Sequence, residues 1–223
     1  MFSDFKIIIQ ARMGSSRLPG KVLMDFMGVP LLIFKIELIK KLGIKTPILV
    51  ATTENELDNE IVKLCIQKGI KYSRGSESNV FSRFQKVVKE FPTNNIIRLT
   101  ADNPLTSRTI FINAINTQLR KYSDLTTTRM INHEGKVISF VPKGLSIDII
   151  STRKFLLVKS EELSDFEREH IIPYYFNTKS RISYVKHKLI EGSYTIDTED
   201  EFIQMEEFVR SLGQDKLMEF LNR

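Results

Sequence analysis

The sequence has 223 residues but only one cysteine, Cys65, and no tryptophan. A single thiol can make neither an internal disulfide nor a cysteine metal cluster, and a reducing, cytoplasmic compartment is the natural expectation. Glycine and proline are sparse, ten and seven. No linker rich in them, no repeat and no low-complexity segment divides the chain. No apolar run approaches the ~18 residues that suggest a bilayer span. Met1 to Gln10 contains Asp4 and Lys6 and does not read as a signal peptide. What is present is ordinary globular composition, 42% hydrophobic and 27% charged, which argues against disorder. A chain of this length buries roughly 70% of its unfolded surface and needs no staple. One domain over 1–223 is expected, with a less regular portion at about 124–190.

The net charge of +6 is unevenly spread: residues 191–223 carry −6 and the first 190 carry +12. A basic body points to a polyanionic partner: nucleic acid, a membrane surface or a nucleotide. Nucleic-acid binding predicts basic residues interleaved with exposed aromatics. Here the aromatics fall at helical core spacing, as in Phe81, Phe84 and Phe91, so neither nucleic acid nor membrane is expected as a partner.

Phe5 to Gln10 (FKIIIQ) reads as a strand buried on both faces. Further strands are predicted at Pro47–Thr53, Ile70–Ser73 and Asn95–Ala101. Helices are predicted at Leu31–Leu42, at Glu56–Lys68 with Leu57, Ile61, Leu64 and Cys65 on one face, from Val80 after an Asn79 cap, and at Thr106–Tyr122. This alternation implies an α/β sheet, mostly parallel. Beyond it, short strands are predicted at Asp124–Thr128, Val137–Val141, Leu145–Ile150 and Ile182–Val185, and helices at Ser151–Lys159, Phe166–Asn177 and Glu199–Leu212. In such sheets ligands sit at the carboxyl ends of strands, which selects Ala11–Lys21, Thr52–Asn55, Ser73–Asn79 and Asp102–Pro104.

The segment Ala11–Lys21 holds three cations, two glycines and two serines in eleven residues. Successive backbone N–H groups in such a loop make a nest for anionic oxygens, and Arg12, Arg17 and Lys21 add charge. It is not a Walker A loop: five residues, not four, separate Gly14 from Gly20, and Val22 follows Lys21. Nor is it GxGxxG. Asp102, at a strand end, suits a magnesium ligand, or equally an Asx turn or a cap for the next helix. Glu199, Asp200 and Glu201 complement a helix dipole after a Thr198 cap, which separates Asp197 from them. Cys65 reads as core, and His133 and His187 belong to no motif.

Taken in order, QARMGSSRLPGK, Arg74-Gly75-Ser76-Glu77, RLTADNPL from Arg98, Gly144-Leu145, Arg168-Glu169-His170 and TIDTEDEF from Thr195 resemble blocks of one family. It is the cytidylyltransferases of the spore coat polysaccharide biosynthesis protein F group, akin to acylneuraminate cytidylyltransferases. The resemblance, over about residues 5–205, implies a Rossmann-like, mostly parallel mixed sheet flanked by helices, of the nucleotide-diphospho-sugar transferase type. It implies CTP and a small acidic acceptor as partners, Mg2+ as cofactor and, by family habit, a homodimer. Carried over residue by residue, it implies nucleotide binding by Ala11, Arg12, Met13, Gly14, Ser15, Lys21, Arg74, Gly75, Ser76 and Thr100. It makes Arg12, Lys21 and Asp102 catalytic and Asp102 and Asp197 metal ligands. On the acceptor side, Gly144-Leu-Ser-Ile-Asp148 departs from the family's Gly-Leu-Asp-Val-Glu, and Asn103 replaces a common Cys. Asp148 is a candidate for acceptor or metal contact. Arg168, Glu169 and His170 either contact the acceptor, with Arg168 pairing a carboxylate, or form a structural ion-pair network.

Overall fold

The computed structural model describes residues 4–134, 136–187 and 192–222; positions 1–3, 135, 188–191 and 223 of the single-domain expectation lie outside the described residues. The elements are β1 (Phe5–Gln10), β2 (Asp25–Phe26), β3 (Val29–Pro30), α1 (Leu31–Lys41), β4 (Ile48–Thr53), α2 (Asn59–Gln67), β5 (Lys71–Gly75), α3 (Val80–Glu90), β6 (Asn95–Thr100), α4 (Arg108–Lys121), β7 (Leu125–Thr127), β8 (Arg129–Ile131), β9 (Val137–Ser139), β10 (Asp148–Ser151), α5 (Thr152–Phe155), α6 (Asp165–His170), α7 (Ile172–Phe176), β11 (Ile182–Tyr184) and α8 (Glu199–Asn222). Seven strands form one sheet in the order β11-β7-β10-β6-β1-β4-β5. β10 is antiparallel to both its neighbours, and the other pairings are parallel. This is the mostly parallel mixed sheet flanked by helices that the strand–helix alternation calls for.

The two-residue period of a strand explains why both faces are dry. Ile7 and Ile9 of β1, Ile97 of β6 and Val50 of β4 join one core with α1, α2, α4 and α8. Ile8, Ile96, Leu49 and Ala51 join a second core with α3, α5 and α7. β6 lies beside β1 in register, with Ile9 opposite Leu99 and Gln10 opposite Thr100. The loops after β1, β4 and β6 therefore emerge at one end of the sheet. The reversed β10 begins at that same end, which puts Asp148 opposite both Arg98 and Thr127.

Several elements differ from the sequence expectation for local reasons. The expected helix from Glu56 opens as a short 3-10 turn, with the Asn55 side chain accepting Leu57 N–H. That turn swings Leu57 outward, 65% exposed, leaving Ile61 and Cys65 buried. The helix expected over Phe166–Asn177 is two helices, α6 and α7. Pro173 has no N–H and cannot continue a helix, and Ile171 turns the chain at φ 61°. The Ser151–Lys159 helix shrinks to Thr152–Phe155. The strand expected from Leu145 starts at Asp148, because Ile147 N–H bonds the Thr128 hydroxyl instead of a ladder carbonyl. Past Leu212, Gly213 (φ 64°, ψ 176°) breaks the helix, and a second helical stretch continues to Asn222.

Candidate active site

The loop after β1 is shaped by carbonyls and one carboxylate. Met13 C=O accepts from Ser15 and Gly20 N–H, at 3.0 and 2.9 Å. Met13 N–H donates to Asp58 Oδ1 at 2.7 Å. The other Asp58 oxygen accepts from Thr52 Oγ1, Thr53 N–H and Thr53 Oγ1, at 3.0, 3.0 and 2.5 Å. Asp58 is buried, and a buried carboxylate is tolerable only when its oxygens are filled in this way. It fixes the nest to the end of β4. The sequence reading missed it, since an acid in ELDN looks like an ordinary helix-start residue. Asp58→Ala leaves several buried donors unpaired and is expected to cost about 3 kcal/mol in urea denaturation, with a raised KM for nucleotide. Arg12, half-buried, has no hydrogen-bond or ion-pair partner among the described residues. Ala11 is buried, while Gly14 is exposed.

Lys21, also buried, reaches from this loop to the far side of the site. Its Nζ lies 3.1 Å from Asp102 Oδ2, 3.5 Å from Asp197 Oδ1 and 2.5 Å from Ile196 C=O. Two aspartates 95 positions apart thus face one cation. Their approach is built from backbone. Ile196 N–H donates to Asp102 C=O at 2.9 Å and Tyr194 N–H to Lys143 C=O at 2.7 Å. Gly144, at φ +92°, lets these segments touch; a Cβ there would lie 2.3 Å from the Tyr194 carbonyl. This gives the Gly144-Leu145 motif its physical reason. Thr198 and Glu201 form a reciprocal cap on α8, and Glu201 also accepts Asp197 N–H at 2.7 Å. Lys143 Nζ and Arg17 Nη2 contact the other Asp197 oxygen at 3.1 and 3.0 Å. Burial on its own would raise the Asp197 pKa. The Lys143 hydrogen bond and the charges of Lys21, Lys143 and Arg17 outweigh it and hold the carboxyl below the ordinary range.

Among the described residues no group of three or more His, Cys, Asp or Glu side chains is placed to hold a metal. Asp102 and Asp197 nevertheless turn hard oxygens toward one point. That donor set fits Mg2+, which takes one or two carboxylates and completes its shell with water and substrate phosphate.

Behind Asp102 lies Lys35 of α1, 1% exposed. Its Nζ donates to Asn103 C=O (2.5 Å), Thr106 Oγ1 (3.3 Å) and Leu105 C=O (3.4 Å), bracing the turn that carries Asp102. Burial pulls its pKa from 10.5 down to about 7, against the opposing pull of Asp102. Between about 7 and 10.5 the unfolded chain therefore binds more protons at this site than the folded one. Its contribution to stability rises with pH across that window and falls away as pH drops toward 7. Relative to Lys35→Met, the wild-type protein is expected to gain up to ~1.4 kcal/mol per pH unit there, read by urea denaturation of both proteins at matched pH. A constant difference across the window would contradict it.

The family blocks fall at different distances from this centre. Arg74 braces the β4–β5 end, donating to Thr53 C=O, Asn55 C=O and Asn59 Oδ1. Ser76 Oγ accepts Asn79 N–H, and Ser76 C=O accepts from the fully buried Arg83. Gly75 leaves room for that arginine, since a Cβ would stand 3.0 Å from its Cγ. Burial brings the Arg83 pKa down to about 10, helped by Arg12. Thr100 and Asp102 line a cavity of about 510 Å³ beside Lys143, Gly144, Arg98, Arg129 and His170. Asp148 is 1% exposed. It accepts from Thr127 Oγ1 at 2.6 Å and lies 3.6 Å from both Arg98 Nη1 and Arg129 Nη2. Oδ1 is thus taken by Thr127, and Oδ2 faces both arginines. Arg168 is committed locally, to Ser160 C=O, Glu161 C=O and Asp165. Glu169 is exposed. His170 reaches the cavity, its ring edge-on to Phe166 at 4.5 Å, with its pKa lowered chiefly by burial. Arg98 heads the RLTADNPL block without a role of its own, and the cavity cations Arg129 and Lys143 fall in no block; Arg98 sits inside a strand and its partner Asp148 lies on β10.

A family model described as cytidylyltransferase matches residues 6–220. The chain belongs to the cytidylyltransferase family. It is 27% identical over 238 residues to the spore coat polysaccharide biosynthesis protein SpsF of Bacillus subtilis, covering 99% of this chain and 95% of SpsF. A cytidylyltransferase structure from Leptospira borgpetersenii superposes with a TM-score of 0.83 at 26% identity, over 98% of this chain and 92% of that one. CMP:2-keto-3-deoxy-manno-octonic acid synthetase in complex with CTP shares the fold, with a TM-score of 0.70 at 17% identity, over 94% and 99% of the two chains. The match to protein MJ1063 of Methanocaldococcus jannaschii is 34% identical over 76% of this chain and spans 65% of that relative. As a cytidylyltransferase with the nucleotide-diphospho-sugar transferase fold, the protein is a nucleotidyltransferase. Among the described residues no helix is long and apolar enough to cross a membrane.

Proposed function

We propose that this cytidylyltransferase transfers CMP from CTP to a small acidic sugar, releasing pyrophosphate, in the assembly of a surface polysaccharide, with Mg2+ as cofactor. The observation that carries this reading is the convergence of Asp102 and Asp197 on Lys21. They meet between a nest-forming loop on one side and a cavity rich in cations on the other. SpsF supports the polysaccharide setting by its name, and the octonic acid synthetase supports CTP with an acidic acceptor.

In this reading an acceptor oxygen bonds to the α-phosphorus while the bond to the bridging oxygen of pyrophosphate breaks. Such transfer rests on in-line positioning and charge neutralisation more than on a protein nucleophile. Arg12, Lys21 and the loop amides bind the β- and γ-phosphates. Asp102 and Asp197 would hold Mg2+, which when bound neutralises phosphate oxygens and stabilises the leaving group. Arg98 and Arg129, with one shared carboxylate between them, keep surplus positive charge for the acceptor's anionic group. A phosphonate or phosphorylated small acid would present similar charge and forms a second arm of any acceptor screen.

Nucleotide selectivity tests the reading without needing the acceptor. CTP with Mg2+ at about 100 times its Kd is expected to add roughly 2.7 kcal/mol of stability, visible as a rise of several degrees in Tm. UTP and ATP should give less, and Lys21→Ala should lose the response. Equal shifts with all three nucleotides would count against cytidine specificity.

A further inference from the structure

The end of the sheet opposite Asp102 carries a hollow of its own, about 490 Å³, within the roughly 300–1,000 Å³ of a small-ligand pocket. Lys6 lies near the start of β1, Ile48 and Leu49 open β4, and Lys71 opens β5. All four line the hollow, which therefore sits at the amino ends of the parallel strands. β1 is six residues long, so about 20 Å of strand separates the hollow from the loop that leads to Lys21. Five lysines stand in its wall, Lys6, Lys40, Lys45, Lys68 and Lys71, and among the described residues that line it none is acidic. Lys40 and Lys68 close α1 and α2, where a helix dipole favours a cation. That reason does not reach Lys6, Lys45 or Lys71, which lie on strands or in a loop. Among the described residues only Lys40 of the five pairs with a carboxylate, that of Glu37. The wall also has an apolar side. Ile48, Ile70 and Phe91 are half-buried in it, and Lys71 Nζ lies 5.8 Å from the centre of the Phe91 ring. Thr46, 4% exposed, lines it too, and its hydroxyl has no hydrogen-bond partner among the described residues. Buried hydroxyls are normally bonded, so Thr46 holds an unspent donor in a wall of cations.

We propose that this hollow is a second binding site, for an organic polyphosphate such as a nucleoside triphosphate. The lysines take the phosphate oxygens as point charges, and the Thr46 hydroxyl is the neutral donor among them. The flat or apolar part of the ligand lies against Ile48, Ile70 and Phe91. An inorganic polyphosphate would meet the charge and leave that apolar surface in water, so the organic part adds affinity. None of these residues lines the cavity beside Asp102, and the proposal stands apart from the cytidylyl-transfer reading.

The test is ATP titrated without Mg2+ into isotope-labelled protein, followed through the backbone amide signals in solution NMR. The expected result is saturable movement of amides in residues 44–49 and 68–71. Lys45→Glu combined with Lys71→Glu should weaken that binding about tenfold or more, and leave any movement in the Ala11–Lys21 loop unchanged. Both lysines are exposed, so the double variant retains its fold, which a matching Tm checks. Tripolyphosphate should bind at the same amides about tenfold more weakly than ATP. Movement confined to the loop after β1, or movement at 44–49 that the double variant leaves intact, overturns the second site while cytidylyl transfer stands. Equal affinity for ATP and tripolyphosphate leaves only a patch of charge and overturns the proposal as well.

Discussion

Asp102→Asn is expected to lower turnover by about 10³-fold while barely moving the Tm of the free protein. The substitution keeps the size of the side chain and an oxygen for Lys21, which approaches Asp102 Oδ2 at 3.1 Å. It removes the negative charge that a hard cation requires. The Asp102 side chain is 32% exposed, and buried Lys21 keeps Asp197 as a counter-charge when Asp102 is neutralised. Loss of one preorganised electrostatic contact at a reacting phosphate typically costs 10²–10³ in rate, about 3–4 kcal/mol. Steady-state pyrophosphate release beside a melting curve of each protein checks both halves. Full activity in the variant would remove Asp102 from the chemistry. A collapsed Tm would make it a structural residue, the Asx-turn or cap alternative.

Asp148→Ala is expected to be the most destabilising substitution at the site, by about 3–5 kcal/mol in urea denaturation. Asp148 stands 3.6 Å from both Arg98 and Arg129. Arg129, 28% exposed, can turn to solvent, whereas Arg98 is almost enclosed at 9%. Burial already lowers the Arg98 pKa, and Asp148 is the charge that opposes this most. Remove it, and a guanidinium whose Nε has no hydrogen-bond partner among the described residues loses its counter-charge as well. Asp148→Ala combined with Arg98→Met should recover most of the stability, since replacing both members of a buried pair by apolar groups is often neutral. The double variant should still fail with acidic acceptors, having lost one of the two arginines proposed to hold them. If Asp148→Ala alone is as stable as wild type, the ion pair is not what holds this end of the sheet.

Much of this architecture is legible in the sequence wherever the signal is local. FKIIIQ announces a strand buried on both faces, and β1 has its alternate isoleucines in two cores. Asn79 and Thr198 are caps by residue type and position, and both bond as caps. The loop from Ala11 to Lys21 stands out by composition alone. The residues that organise the site from behind do not. Asp58 bonds Met13, 45 positions away; Lys35 bonds Asn103, 68 positions away; Arg98 meets Asp148 only because β10 runs backwards beside β6. Each looks like an ordinary helix or strand residue until the sheet order brings its partner alongside. The helix expected across Phe166–Asn177 fails for the opposite reason. Pro173 is visible in the sequence as a breaker, but the apolar pattern over it is strong. Only tertiary packing around Ile171 decides that the chain turns there and lines a cavity.

The most direct measurement is pyrophosphate release from the purified protein with CTP, Mg2+ and a panel of sugar acids and phosphonates, with Asp102→Asn run in parallel. Release is expected to require both CTP and an anionic acceptor and to fall about a thousandfold in the variant. Release that needs no acceptor, or that Asp102→Asn supports as well as wild type, would contradict it.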